Sequence, residues 1–273
     1  MTVWVVGPIA WDTVVYTESP LTIGGFAQGK RIIERPGGTG ANVARALVTT
    51  SIPTAFVGYV GNDGNGDKLF DDMSSRGFEH LDISRFAGPT SHVLIVVDPS
   101  SERTIVGLAP DNLASVVLEE HKLSENDVVV FVLWREHFFA DLIKAKSAGC
   151  KIVVGLDAIN DPRVSGVDVA IGSIHDVHEN FKAQDELARF QRIVITEGVK
   201  GSTEFSQAGI SKQPAVLAEV VDATGAGDAF LAGYVTAMAF GNESAQERLL
   251  LGATWAAKTV ETESSIPPSF DRI

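Results

Sequence analysis

From residue 127 onward, short and largely apolar runs alternate with segments of mixed polarity, and few folds accept that pattern. Asp127–Leu133, Lys151–Leu156, Val167–Ile171 and Arg192–Thr196 read as strands. Each is too short to be a helix and offers apolar residues to both faces, so both faces need a cover. His137–Ala148 reads as a helix, Asp185–Phe190 as a helix fragment, and Ala245 to about Glu261 as a last helix. Val3–Val6 is a buried strand that ends at Gly7-Pro8, and the loop beyond it carries Asp12. Thr54–Val60 is another strand, followed by a turn and a helix through Arg76. Alternation of this kind implies an α/β fold with a mostly parallel, doubly wound sheet. Ligands of such sheets bind beyond the carboxyl ends of the strands. Asp12, Asn62, Asp157 and Thr196 all follow strands and can converge on one crevice.

Two stretches break the alternation. Residues 13–36 mix Thr, Tyr, Glu, Gly and Lys around the β-prone pieces Thr13–Tyr16 and Arg31–Glu34. Ser91–Val97 and Arg103–Val106 flank Asp98-Pro99-Ser100-Ser101-Glu102 as a hairpin that can pair with the first stretch. Residues 1–273 then form one domain carrying a small β-lid, with lid segments at about 13–36 and 90–108. The exposed edge of that lid is open to pairing with a second copy, a homodimer through the lid.

Bulk properties narrow the partners. The 45% hydrophobic content of 273 residues supplies ample core for a large α/β domain. A net charge of −13 argues against nucleic acid or an anionic membrane as partner, though not against a nucleotide, whose phosphates need only a local site. The single Cys150 precludes an intramolecular disulfide and fits a reducing compartment. No basic leader opens the chain, and no apolar run approaches the roughly 18 residues of a membrane span. The expectation is a soluble, cytoplasmic protein.

The chemistry concentrates in Val220 to Tyr234, VVDATGAGDAFLAGY. Phe230, Leu231, Tyr234, Val235 and Met238 recur at helical spacing, and Gly225, Ala226 and Gly227 stand where the first turn begins. Small residues there let a ligand reach bare amides, and the helix dipole favours an anion. Asp228 stands at the rim of that cradle. An acid beside an anion hole suits a base that takes a proton from a hydroxyl while the amides hold charge on a phosphoryl group. The plain alternative is a Gly-rich turn with an ordinary first-turn acid. It is not a Walker A loop, since no Gly-Lys-Ser/Thr follows. Earlier, Gly37 to Ala44, GGTGANVA, opens a helix through about Thr50. It imitates a dinucleotide fingerprint, but ERP precedes it instead of an apolar strand. Its glycines let a polar ligand approach Asn42, or simply start a capped helix. Asp63, Asn65 and Asp67 do not make a calcium loop, because Lys68 and Ser74 stand where a glycine and a glutamate are needed. The six histidines carry no metal signature.

Taken together, Gly37-Gly38-Thr39-Gly40-Ala41-Asn42-Val43-Ala44 resembles the N-terminal signature of the ribokinase, or PfkB, family of carbohydrate kinases, and Asp222-Ala223-Thr224-Gly225-Ala226-Gly227-Asp228-Ala229-Phe230 is very similar to its C-terminal signature. Val57 to Asp63 with Gly66, and Thr196-Glu197-Gly198 with Gly201, match in order and spacing. The resemblance implies a three-layer α/β/α sandwich with a β-lid over the acceptor. It implies transfer of the ATP γ-phosphoryl group to a hydroxyl of a sugar or sugar acid, with Mg2+. By motif position Asp228 is the general base; Gly225, Ala226 and Gly227 form the anion hole; Asp12, Gly38 and Asn42 bind acceptor hydroxyls; and Thr196, Gly198 and Gly201 lie along the nucleotide. The resemblance also leaves room for a monovalent cation near Asp222. The family's Asn-x-x-Glu motif, which organises magnesium through water, is matched here by Ser173-Ile174-His175-Asp176, leaving Asp176 to order that water. Two other readings stand beside this one: a purine nucleoside kinase of the same family, with Trp11, Tyr16 and Trp134 as candidates for a base-stacking slot, and a non-catalytic sugar- or nucleotide-binding protein. Arg135 is a candidate partner for the carboxylate of a sugar acid.

Overall fold

The structure, a computed structural model, describes residues 1–273 except 101–102, 109–117, 119–121 and 243. Its elements are β1 (Val3–Val6), β2 (Ala10–Thr17), β3 (Gly29–Gly37), α1 (Thr39–Leu47), β4 (Thr54–Gly61), α2 (Gly64–Ser74), β5 (His80–Phe86), β6 (His92–Val97), β7 (Arg103–Leu108), β8 (Val128–Phe131), α3 (Phe139–Ser147), β9 (Lys151–Gly155), β10 (Val167–Ser173), β11 (Phe190–Thr196), β12 (Ser202–Ser206), β13 (Gly209–Gln213), α4 (Ala226–Ala239) and α5 (Ala245–Val260).

Nine strands form the main sheet in the order β13-β12-β11-β10-β9-β8-β1-β4-β5. Neighbours from β11 to β5 run parallel, and the β12–β13 hairpin closes one edge antiparallel. Side chains along a strand alternate between faces, and β1 shows where each face goes. Val3 and Val5 pack with Ala41, Val43 and Leu47 of α1 and with Ala229, Val235 and Trp255 of α4 and α5. Trp4 and Val6 pack instead with Phe138, Leu142 and Ala145 on the opposite side. Two cores flank one sheet, which is the three-layer α/β/α arrangement. Each fully buried Val or Leu contributes about 1.5–3 kcal/mol of hydrophobic stabilisation, so the sheet interior rather than its edges holds the fold.

Three elements differ from the sequence expectation. Residues 185–190 hold no helix fragment: a single 3₁₀ turn, Ala183–Glu186, precedes β11, which begins at Phe190. Phe190 is fully buried and paired with Val167 of β10, so packing draws it into the sheet. The other two, β5 and β13, are edge strands with largely exposed or half-buried residues.

The remaining strands build a second, smaller sheet in the order β3-β2-β6-β7. One face buries Val14, Ile95 and Val97; elsewhere Ile32, Ile105 and Leu108 are exposed. The segments 13–36 and 90–108 contribute this sheet, and residues 101–102 of the β6–β7 turn lie outside the described residues. Three residues connect β1 to β2, and β3 leads directly through Gly38 into α1. The small sheet is therefore joined to the large one at the carboxyl end of β1. No helix among the described residues is long and apolar enough to cross a membrane.

Candidate active site

The first turn of α4 is held open by backbone constraints. Gly225 has φ 82°, in the left-handed region, and a Cβ there would fall 2.1 Å from the Ser265 carbonyl oxygen. Only glycine satisfies both demands. The turn leaves helix N–H groups unpaired: Ala226 donates weakly to the Ala223 carbonyl at 3.4 Å, and the N–H groups of Gly227 and Asp228 have no acceptor among the described residues. Gly227 differs from Gly225 in kind. A Cβ on Gly227 would meet nothing within 4 Å. The protein itself does not require that glycine, and the open space faces a pocket of about 230 Å³ whose walls include Thr39, Asp157, Asp176, Thr196, Gly227 and Asp228.

Asp228 is aimed by a chain of hydrogen bonds. Asn42 Nδ2 donates to Asp228 Oδ2 at 2.9 Å. Arg45, three residues further along α1, donates through Nη1 to Asn42 Oδ1 at 3.0 Å and so fixes which end of the amide faces the acid. Arg45 is almost wholly buried, and its charge is met by Asp72 at 2.8 Å. Desolvation pushes the Asp228 carboxyl up to about 7; the Asn42 hydrogen bond opposes this, and the nearby charge of Asp12 adds to it. Arg103 of β7 is near enough to favour the ionised form.

Asp12 lies in β2, across from Arg35 of β3. Its carboxylate rests on Gly37, where a Cβ would come within 2.2 Å of Asp12 Oδ2. Burial lifts its carboxyl to about 6, against the pull of Arg35 and Arg45. Asp12 is 4% exposed, yet no hydrogen-bond donor reaches it among the described residues. Buried carboxylates without donors are costly, so this one suits a hydroxyl that arrives from outside. Gly38 has φ 90° and packs against the backbone of Pro8, Ile9 and Ala10, which brings α1 close to the β1–β2 connection. Asp12 and Asp228 thus act on one another, and Asn42 joins them through its hydrogen bond to Asp228, but Asp12, Gly38 and Asn42 do not themselves line the pocket.

On the other wall, Thr196 lines the pocket and donates to the Gly172 carbonyl at 3.2 Å. Gly198 and Gly201 shape the turn after Thr196 and do not line the pocket. Gly201 has φ 94° and would clash with the Gln213 carbonyl if it carried a Cβ, so its identity has a structural cause. Ser173 and Asp176 cap one another: Ser173 Oγ accepts the His175 N–H, and Asp176 Oδ2 accepts the Ser173 N–H at 2.7 Å. That leaves Asp176 Oδ1 for the pocket. Asp157 accepts the Trp134 N–H at 3.1 Å and has its carboxyl raised, chiefly by burial, with the charge of Asp176 adding to the effect. Among the described residues, no group of three or more His, Cys, Asp or Glu side chains could hold a metal ion directly.

The remaining sequence candidates are placed elsewhere. Trp11 is buried in one core, under the Lys68 ammonium, and Trp134 is buried in the other with Nε1 bonded to Asp161. Tyr16 lies beneath Arg31. Arg135 turns to the Trp134 carbonyl and to Asp157 at 3.7 Å, and Asn62 is exposed in the turn after β4. Arg35, Arg45 and Thr39 were not legible as site residues; only the spacing of Asn42 and Arg45, one helical turn apart, carries a signal.

Asp222 opens the loop before α4. Its Oδ1 accepts the Thr224 N–H at 2.8 Å, and its Oδ2 meets Arg35 Nη2 at 3.4 Å. Arg35 Nη1 also donates to the Glu263 carbonyl. Arg31, on the same strand, holds the Glu263 carboxylate with two bonds of 3.1 and 2.8 Å.

The comparisons with known proteins bear on the whole chain. The family model described as pfkB family carbohydrate kinase matches residues 2–271. A ribokinase of Arabidopsis thaliana is 27% identical over 86% of this chain and 70% of its own length. An ATP-dependent ribose-1-phosphate kinase of Halopiger xanaduensis is 26% identical over 84% of this chain and 82% of its own. Among solved structures, a ribokinase from Thermotoga maritima superposes with a TM-score of 0.82 at 21% identity, covering 99% of this chain and 97% of that one. A nucleoside kinase from Methanocaldococcus jannaschii gives 0.76 at 20% identity, covering 99% and 96%.

Proposed function

The chain belongs to the pfkB family of carbohydrate kinases, and we propose that it transfers the ATP γ-phosphoryl group to a hydroxyl of a neutral sugar, with Asp228 as general base. That it is an ATP-dependent carbohydrate kinase of the ribokinase fold follows from the family match along nearly the whole chain. The finer reading is carried by one observation: an Asp with its carboxyl raised to about 7 stands directly beside amides that have no acceptor among the described residues. A base poised near neutral pH accepts a hydroxyl proton efficiently. Free amides of a helix start stabilise charge on the phosphoryl oxygens. Asn42 and Arg45 hold the base in line, and Asp12, buried without a donor among the described residues, takes a second acceptor hydroxyl. Gly38 holds the start of α1 against the β1–β2 connection, while Thr196, with the turn of Gly198 and Gly201, borders the nucleotide.

Magnesium fits the opposite wall. Asp157 and Asp176 present like charges to one pocket, and among the described residues too few ligands converge to bind an ion directly, which suits a hydrated cation held through water. Bound there, Mg2+ would neutralise charge on the phosphates.

A neutral sugar is favoured over the other acceptors by where the aromatic and cationic side chains went. Trp11 and Trp134, two of the three rings available to stack on a purine, are buried in the cores. Arg135, the partner available to a sugar acid, is engaged with Asp157. The test is coupled ADP release across pentoses, hexoses, keto-deoxy acids and purine nucleosides under one set of conditions. A neutral sugar should give the highest kcat/KM. Adenosine or inosine ahead of every sugar by about tenfold or more, at least the discrimination a single methylene supplies, would overturn the acceptor assignment, and no ADP release with any acceptor would favour a binding protein.

A further inference from the structure

The residues around Asp222 do not suit the monovalent cation that the family resemblance allows there. A bound alkali ion needs a cage of oxygens whose negative charge is not yet compensated. Here the two strongest oxygens, Asp222 Oδ2 and the Glu263 carbonyl, already share the guanidinium of Arg35. Asp222 is buried at 4% exposure and Arg35 at 9%, so a second positive charge would sit beside the first with little water to screen them. Two buried hydroxyls nearby in sequence, Thr224 Oγ1 and Ser265 Oγ, have no partner among the described residues, but they are neutral and cannot offset that repulsion.

We propose that Arg35 is the resident cation of the Asp222–Asp228 loop, so that turnover needs no monovalent ion. The inference rests on the reading of Gly225 to Asp228 as the phosphoryl cradle. Arg35 neutralises Asp222 and ties the loop to Glu263, two residues before Ser265, whose carbonyl lies under Gly225. It is a positioning residue: it shapes the cradle through Asp222 without meeting substrate. It also differs from a free ion in being part of β3, the strand that places Arg35 opposite Asp12. The cradle is therefore charge-balanced only when the small sheet is seated on it.

The experiment compares wild type, Arg35→Ala and Arg35→Lys in potassium, sodium and tetramethylammonium chloride at matched ionic strength, reading initial rate and melting temperature. Wild type should turn over and melt alike in all three salts. Arg35→Ala should lose about tenfold or more in kcat in tetramethylammonium, the scale of a disturbed anion hole, and recover part of it, together with melting temperature, in potassium or with added guanidinium. Arg35→Lys should keep the wild-type indifference to salt. A wild-type rate or melting temperature that rises specifically with potassium would overturn the proposal, and so would an Arg35→Ala protein that matches wild type in every salt. Absence of ADP release from wild type with every acceptor would fault the cradle reading alone, and the melting series would still decide the role of Arg35.

Discussion

Asp228→Asn should make this protein more stable while it slows turnover. Burial lifts the Asp228 carboxyl from 3.8 to about 7. At roughly 1.4 kcal/mol per unit, keeping that group ionised in the folded state costs about 4 kcal/mol relative to a neutral one. A carboxyl raised on folding contributes most to stability below its unfolded pKa, and that contribution is lost as pH rises through the folded value. Near pH 8 both states are ionised, and the variant should gain up to about 4 kcal/mol. Near pH 5 the folded wild type is protonated and only unfolding releases the proton, so the gain should shrink to about 1.5 kcal/mol. The difference between the two conditions, about 2.5 kcal/mol, excludes whatever the new amide contributes to packing. Asn42 can still donate to the amide oxygen of the replacement, so the hydrogen bond survives. Asp12 titrates with Asp228, and the same pair of measurements in an Asp12→Asn background isolates the Asp228 share. Urea unfolding of wild type and variant at both pH values gives the increments, and initial rates should fall by about 10²–10⁴. Equal increments at the two pH values would refute the argument, since the acid would then not be raised in the free protein.

The two cradle glycines should part company. Gly227→Ala, with open space at its Cβ, should leave the fold intact or firmer by about 0.5–1 kcal/mol, yet turnover should fall; initial rates beside a melting curve decide, and an undiminished rate would remove Gly227 from the cradle. Gly225→Ala, forced into a left-handed φ against the Ser265 carbonyl, should lose about 1–3 kcal/mol of stability, measured by the same melt. Asp176→Ala should raise the magnesium concentration needed for half-maximal rate; an unchanged magnesium titration would hand that task to Asp157 or to water alone.

Much of this molecule is legible in its sequence because the strongest signals are local. β1 is recognisable by its apolar run, and α4 by its glycines and apolar face; their observed bounds follow those signals. What escaped is non-local. His80–Phe86 is a strand because β4 offers it an edge, and its own residues, half exposed, carry too weak an alternation to show it. Arg45 reads as a solvated helix charge, but Asp72, 27 positions on, lets it be buried and hold Asn42. Arg35 reads as lid surface, and its acidic partner is 187 residues distant. Trp11 and Trp134 are ambiguous in sequence because aromatic rings fill cores and ligand slots alike; here both fill cores.

The hydrogen bond between Asn42 and Asp228 spans 186 residues, and that separation sets an order of events while the chain is being made. At roughly 5–20 residues per second, a ribosome delivers the two partners about 10 to 40 s apart. β1 precedes that interval and the other parallel strands are synthesised within it, so most of the sheet can be in place before α4 emerges to dock on α1. Until then Asn42 has no acid to orient and no amide cradle exists. On the proposed roles of Asp228 and the cradle, the half-made chain is chemically silent, and phosphoryl transfer switches on with the arrival of the C-terminal helix pair.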